Sequence, residues 1–587
     1  MSFLLLSRVA DAVLEELAND TLHYRHDLLR KGPRHLLRFL RTTPVSVIVT
    51  SDELDSDILA EWARSANRQV YLACYGKAAG LTHLLDRAAK ASVQIVAPAV
   101  TVTEAFQLAE QRLCEDRFGN LGHTALRKHI TFVGAGVVNL IVARFALRAG
   151  HSVSFIDARP DPRRGVHWRR LGCSAGGGNA RMFTLSEMDN YNCRVIHDDM
   201  NWQFSRTVRE NGWNVVPEAE LNEGERHWID SFESIPSWLA DSYNEAIFRF
   251  NRESHPMWSR WISEEPDLFA CSNLQPDILR VYSDQRHFET SRARQVRIGA
   301  KLRDVSLGQL AEEQPILQPA IASGQIVGGV YVHGFTVNVH RFMANLINHF
   351  EQAGAEFRWN TEMTRVIKSG ETGIEGVELS TGERISGNIV IAPGVYAGAA
   401  LNDTGAQRQI CGVLGAWLSL PDPRGGLRNS LKLARLGHIT EDANVTVGWN
   451  ERGERCAIIG SGYGFTGFNP ANIDPDLLEA IYDGLKDTAA NCFPDQFKAM
   501  MDAGTLNDTL KYCVRPWTPS GLGLFESFKS QDSCVVIIGG HNTGGFAQAP
   551  AIGAAVVAAM QNDRHQMHTD YHVDRLKLMA RPTRELV

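Results

Sequence analysis

Between His129 and Asp157 the chain strings together the residue types that hold a dinucleotide. An apolar run, His129–Val133, leads into Gly134, Ala135 and Gly136. A helical-length apolar stretch follows from Val137, and a second apolar run ends in Asp157. Strand, glycine turn, helix, strand and terminal acid make one βαβ unit. Gly134 permits the tight turn, and Gly136 lets backbone approach a pyrophosphate at the helix N-terminus, where free N–H groups favour an anion. Asp157 stands 23 residues after Gly134, where a carboxylate accepts hydrogen bonds from ribose hydroxyls. Asn139 replaces the third glycine of the fingerprint, which loosens the close helix–strand packing that glycine serves and leaves phosphate binding in place. A carboxylate at 157 disfavours a ribose phosphate, so the dinucleotide is FAD or NAD rather than NADP.

These residues need a scaffold, and the rest of the chain predicts one. The 587 residues are 44% hydrophobic and 22% charged, with a net charge of -7. That balance describes a globular protein and gives no basic field for a nucleic acid. No apolar run reaches the ~18 residues of a membrane span. The N-terminus makes a poor signal peptide, because Arg8 and Asp11 interrupt its short apolar run. The ten cysteines show no CxxC pair, the pattern of reduced thiols in a cytoplasmic chain. His333 and His340 have no companions at metal-ligand spacing, so no metal is expected.

Three apolar runs near 45–50, 69–74 and 92–97, each followed by helical spacing, predict a small parallel α/β layer preceded by a helix at 8–30. No glycine-rich loop follows these strands. Two readings stand for residues 1–128: a second ligand site, or an accessory packing or dimerisation domain, the latter allowing a homodimer. Residues 165–325 read as irregular and rich in tryptophan (Trp168, Trp202, Trp213, Trp228, Trp238, Trp258, Trp261), either as helix core or as the lining of an apolar pocket. Period-two alternation over 410–465 predicts antiparallel strands.

In combination the motifs resemble the FAD-dependent amine and amino-acid oxidases of the D-amino-acid oxidase class, glycine oxidase and monomeric sarcosine oxidase among them. The resemblance covers about 129–560. It rests on the βαβ unit, on Gly394 in the family's Ala-x-Gly turn, on Arg515–Gly521 as an Arg-Pro-x-Thr-Pro-x-Gly segment, and on Gly540–Gly553. These late motifs favour FAD over NAD. The implied fold is α/β and α+β: a Rossmann-type FAD-binding domain (129–185, 328–400 and 511–565) interleaved with a mixed or antiparallel-sheet substrate domain (186–327 and 401–510), behind an N-terminal α/β domain of 1–128.

The resemblance also implies roles. Cofactor contacts fall on Gly134, Ala135, Gly136, Val137, Val138, Asn139, Asp157, Ala158, Arg159, Ser174, Met363, Gly394, Gly540, His541, Thr543, Gly544, Gly545 and Phe546. Arg515 matches the arginine that grips a substrate carboxylate, and Arg181 is a second candidate for that task. Cys513 aligns with a cysteine that holds flavin covalently in sarcosine oxidase, although glycine oxidase keeps the segment without the bond. The implied reaction is C–N oxidation of an amine or amino acid by hydride transfer to flavin N5, with reoxidation by oxygen giving hydrogen peroxide. A quinone- or protein-linked dehydrogenase and a non-catalytic flavin sensor are the alternatives. Thr543 and Ala547 depart from the family, standing where a second arginine and an oxygen-activating lysine would fall. Tyr463 and Tyr331 are candidates for the family tyrosine. His541 is either a group that tunes the cofactor or shuttles protons, or a hydrogen-bonded core histidine.

Overall fold

The computed structural model describes residues 2–579 except 18, 20, 67, 81–85, 87, 121, 123–127, 166–179, 189–202, 218–219, 371–372, 397 and 451–452. For Ala180 and Arg181 it describes backbone only. Ser174, Trp168 and Trp202 therefore lie outside the described residues. Among those described, no helix is long and apolar enough to cross a membrane.

Six strands form the dinucleotide layer in the order Glu356–Arg358, Ser152–Ile156, His129–Val133, Asn388–Ile391, Cys534–Gly539, Leu524–Lys529. The first five run parallel and the last is antiparallel. Parallel strands are buried on both faces, and the central strands Asn388–Ile391 and Cys534–Gly539 are accordingly buried throughout and almost wholly apolar. Ile130, Phe132 and Val536 face a core shared with the helices. Val133, Ile389 and Ile537 face the small sheet built from Met363–Ser369, Gly373–Leu379 and Arg384–Ser386.

Two helices on this layer fix its chemistry. A Cβ added at Gly545 would stand 3.2 Å from the Val138 side chain, and one at Gly553 would stand 2.8 Å from Phe145. Helices Val137–Arg148 and Gly545–Met560 thus pack closely in parallel, with their N-termini side by side. Pro550 lies inside the second helix and cannot donate a backbone hydrogen bond. The long helix Ser237–Glu264 satisfies the neighbouring turn instead. Trp258 Nε1 donates to Ala547 O at 2.9 Å, and Ala551 N donates to Ser254 Oγ at 3.2 Å.

That 28-residue helix lies in the stretch expected to be irregular. Pro256 interrupts its pattern in the sequence, but Trp238, Tyr243, Ile247, Phe250, Ser254, Trp258 and Trp261 make one buried stripe at helical spacing. The described tryptophans of this helix are core residues, and Trp228 is buried as well.

The second large sheet is mixed. Its order is Lys301–Val305, Gly328–Asn338, Gln275–Tyr282, Leu431–Ala434, Asp442–Trp449, Arg455–Gly467, Cys411–Pro421, Lys511–Trp517, with Ala180–Thr184 also paired to Gly328–Asn338. Three of its strands, at 180–184, 328–338 and 511–517, come from the segments expected in the FAD-binding domain. Each makes antiparallel ladders with strands of this sheet.

The N-terminal unit is a five-stranded parallel sheet, Leu22–Tyr24, Phe3–Leu5, Val47–Thr50, Tyr71–Cys74, Gln94–Ile95. The helix expected over 8–30 is replaced by helix Asp11–Leu17, strand Leu22–Tyr24 and helix Asp27–Lys31. Leu4 and Leu6 face the unit's own core, whereas Phe3 and Leu5 join the central core of the molecule. Helix Val102–Phe118 makes the junction. Phe106 stacks on Phe3 and meets Trp238 edge-on. At the same junction Arg575 Nε and Nη2 each lie 2.8 Å from the Glu110 carboxylate, with both side chains buried.

Removing one partner of a buried ion pair leaves a charge without compensation and costs about 3–5 kcal/mol. Glu110→Gln should lose that much stability in chemical denaturation, and Glu110→Leu combined with Arg575→Leu should lose less. A single variant that unfolds at the wild-type denaturant concentration would contradict this role.

Candidate active site

A cavity of about 520 Å³ opens between the two large sheets. Its dinucleotide side is the glycine turn. Gly134 has φ +93 and donates to Ile156 O at 2.7 Å; a Cβ there would stand 2.5 Å from Ala392 O. Only glycine satisfies both demands. A Cβ at Gly136 would meet nothing within 4 Å, because that position faces open cavity. Asn139 has a larger part than its departure from the fingerprint suggests. Its Nδ2 donates to Val133 O at 3.1 Å and Gly134 O at 2.6 Å, so the side chain ties down the turn.

Neither helix that points at the cavity carries a side-chain N-cap. Val137, Val138, Gly545 and Phe546 all line it. First-turn N–H groups lack intrahelical acceptors, and two such ends side by side concentrate partial positive charge on one spot. Asp157 accepts from Ala135 N at 2.6 Å and Arg159 N at 2.7 Å. Burial pushes its carboxyl up, against the pull of those two N–H groups. Ala158, Arg159, Met363, Gly394 and Thr543 complete this side. The Arg159 guanidinium sits 4.4 Å from the Tyr396 ring centroid, a cation–π contact.

Three expected cofactor residues act from outside the wall. Ala135 contributes its N–H to Asp157. Gly540 has φ +65 and packs on Thr518, and Gly544 packs on Met188; a side chain at either would collide.

The opposite wall is the mixed sheet, and Arg515 rises from it. Alternation along Lys511–Trp517 puts Cys513 and Arg515 on one face, and both line the cavity. The Arg515 guanidinium lies across the neighbouring strand over Gly415, where a Cβ would come within 1.8 Å of Nη2. Its Nη1 is buried and has no hydrogen-bond partner among the described residues. Tyr463 is nearby, with the guanidinium 5.7 Å from its ring centroid. Tyr331 is elsewhere, donating to Glu313 Oε2 at 2.6 Å. Cys513 is buried against Trp417, Cys456 and Ile458. The backbone of Arg181 pairs with Val337, and its side chain lies outside the described residues.

Asn444, Thr446, Trp417, Glu187 and Gly460 also line the wall, and sequence reasoning named none of them. They come from segments that meet only through sheet register. Period-two patterning showed strands there, without showing which face meets the cofactor.

Fold and site define a dinucleotide-binding enzyme built from a Rossmann-type layer and a facing mixed sheet. A family model described as FAD dependent oxidoreductase (DAO) matches residues 129–559, and the chain belongs to that family. The D-amino acid dehydrogenase of Dechloromonas aromatica is 24% identical over 451 residues, covering 74% of this chain and 97% of that protein. The D-amino-acid oxidase of Bradyrhizobium diazoefficiens is 21% identical over 337 residues, covering 56% and 73%. Glycine oxidase from Bacillus cereus shares the fold over 76% of this chain and 98% of its own, at TM-score 0.50 and 14% identity. The residues fit the family's FAD. Two bare helix ends suit a pyrophosphate, the side-chain-free space at Gly136 and Gly394 admits a ligand against backbone, and Asp157 has lone pairs left for ribose hydroxyls.

His541 is buried, its Nε2 has no hydrogen-bond partner among the described residues, and desolvation lowers its pKa from 6.5 to about 3. Burial thus favours the neutral ring over the charged one, which weighs against a proton-shuttling role. The unfolded chain binds this proton below pH 6.5 and the folded chain does not until about 3. Stability from this group is therefore full above pH 6.5 and falls with pH through that window, by about 1.4 kcal/mol per pH unit. His541→Asn should flatten the stability–pH curve between pH 6 and 4 by about that slope. An unchanged slope would show that the ring protonates normally in the folded protein.

Proposed function

We propose that this FAD-dependent oxidoreductase oxidises the C–N bond of an amino acid or carboxylated amine, and that Arg515 is the group that grips the carboxylate. The observation that carries this reading is the buried, unpartnered Nη1 of Arg515 in the cavity of the dinucleotide turn. A buried guanidinium nitrogen without an acceptor is costly, and a carboxylate is its natural bidentate partner.

When bound, FAD supplies the hydride acceptor. The chain's own residues position the reactants. Arg515 fixes the substrate carboxylate, and the glycine at 415 leaves its guanidinium room to do so. Substrate that arrives with a neutral amine needs no protein base: the α-C–H pair departs as hydride and the nitrogen lone pair closes the C=N bond, giving a protonated imine that water then hydrolyses to a carbonyl compound and ammonium or amine. The neutral His541 ring suits such a site. Cys513 shares the Arg515 face and is the proposed position of a covalent flavin bond, if one forms.

Oxygen is the proposed electron acceptor, giving hydrogen peroxide. A dehydrogenase passing electrons to a quinone or protein is the second reading. It is favoured by the D-amino acid dehydrogenase likeness, which covers 97% of that relative. The cytoplasm is the proposed compartment, on the sequence pattern of ten scattered cysteines without a CxxC pair.

Purified protein should be yellow and should bleach anaerobically with a suitable amino acid. Yellow colour left in the acid-precipitated pellet marks a covalent bond. Arg515→Ala should lower kcat/KM by about 2–5 kcal/mol, roughly 30- to 5,000-fold, mainly through KM. Gly415→Val should reproduce that loss with flavin still bound. Unchanged kinetics in both variants would remove the assigned role. Stoichiometric peroxide under air would exclude the dehydrogenase.

A further inference from the structure

Arg515 holds one end of the cavity wall, and a second polar pole lies toward the other. Asn444 and Thr446 project from the same face of Asp442–Trp449, and both line the cavity. Lys432 stands directly opposite Asn444 in the antiparallel ladder. Its Nζ reaches Glu187 Oε1 at 2.6 Å, with both side chains buried, and Thr184 Oγ1 donates to the same oxygen at 3.1 Å. Glu187 is thereby held beside Asn444, and it lines the cavity as well.

Two acceptor atoms at this pole are unused. Asn444 Oδ1 is buried without a hydrogen-bond partner among the described residues. Glu187 Oε2 receives no bond from any described residue, since Lys432 and Thr184 both bond Oε1. The adjoining wall is Trp417, Ile458 and Gly460, which offer no side-chain donor toward them except the Trp417 indole. An apolar ligand here would leave the acceptors unpaired, whereas one that carries a donor would relieve a cost of about 1–3 kcal/mol per unpaired group.

We infer that the substrate carries a hydrogen-bond donor at the end remote from its carboxylate, received by Asn444 Oδ1 and the Glu187 carboxylate. This rests on the proposed role of Arg515 as carboxylate anchor. The spacing supports it. The Arg515 guanidinium lies over the strand of Gly415, which is two strands from that of Asn444. Two inter-strand steps separate the poles by about 10 Å. An amino acid whose side chain has the length of lysine, arginine or glutamine bridges that span and ends in an N–H donor. Glycine or alanine leaves the second pole empty. A site built to bond a substrate group rejects the analogue that lacks it, because its own polar atoms are then stranded.

The test compares lysine, glutamine and norleucine, each enantiomer separately, as anaerobic reductants of the holoenzyme flavin. Norleucine is lysine without the ammonium. The expected result is a kcat/KM for lysine or glutamine at least tenfold above norleucine, and the lysine-to-glutamine ratio reports whether a cation or a neutral amide is preferred. Asn444→Leu and Glu187→Gln, each checked for flavin content, should bring the ratio to norleucine toward one. Norleucine or alanine matching the polar substrates would overturn the inference and leave the oxidation reading intact. Flavin that none of these amino acids reduces would overturn both.

Discussion

The structure turns on two helices lying parallel with bare N-termini together. Like-oriented dipoles side by side are unfavourable on their own, and each N-terminus carries the equivalent of about half a positive charge. The arrangement makes sense when an anionic, electron-rich ligand sits where the two ends converge. Glycines 545 and 553 allow the close approach to Val138 and Phe145. Pro550 breaks the ladder of one helix, and Trp258 and Ser254 from the long helix repair it. The long helix is in turn packed against the N-terminal unit through Trp238, Phe106 and Phe3. The N-terminal 128 residues, outside the family match, are thus part of the same core that braces the cofactor cradle.

Opposite this cradle the mixed sheet supplies functional groups by register. Arg515 depends on Gly415 for space. Glu187 depends on Lys432 for position, and Lys432 on its pairing opposite Asn444. The two walls differ in kind: one gathers positive potential for a dinucleotide, and the other lines the cavity with the discrete donors and acceptors that we propose meet the substrate.

The cradle was legible in the sequence because its parts are local. Gly134, Gly136 and Asp157 belong to one βαβ unit, so spacing alone predicts their geometry. Arg515 and Gly394 were legible through motifs. Much else was not. Gly415, Asn444 and Glu187 acquire their positions from pairings between distant strands, which no local pattern encodes. Strands 180–184, 328–338 and 511–517 adjoin cofactor motifs in sequence, yet their hydrogen-bond partners lie in the other sheet. The helix Ser237–Glu264 was hidden by Pro256, although its buried stripe is continuous on either side. The third fingerprint position shows the reverse case: Asn139 looks like a defect by spacing and proves to be a tie that holds the turn.

The most direct test of the central claim, that a cofactor cradle faces a carboxylate-seeking Arg515, is a titration of the holoenzyme with an unreactive carboxylic acid and with its isosteric amide, followed through the flavin spectrum. The account predicts a saturable spectral shift with the acid and binding at least tenfold weaker with the amide. Equal affinity for acid and amide would contradict it.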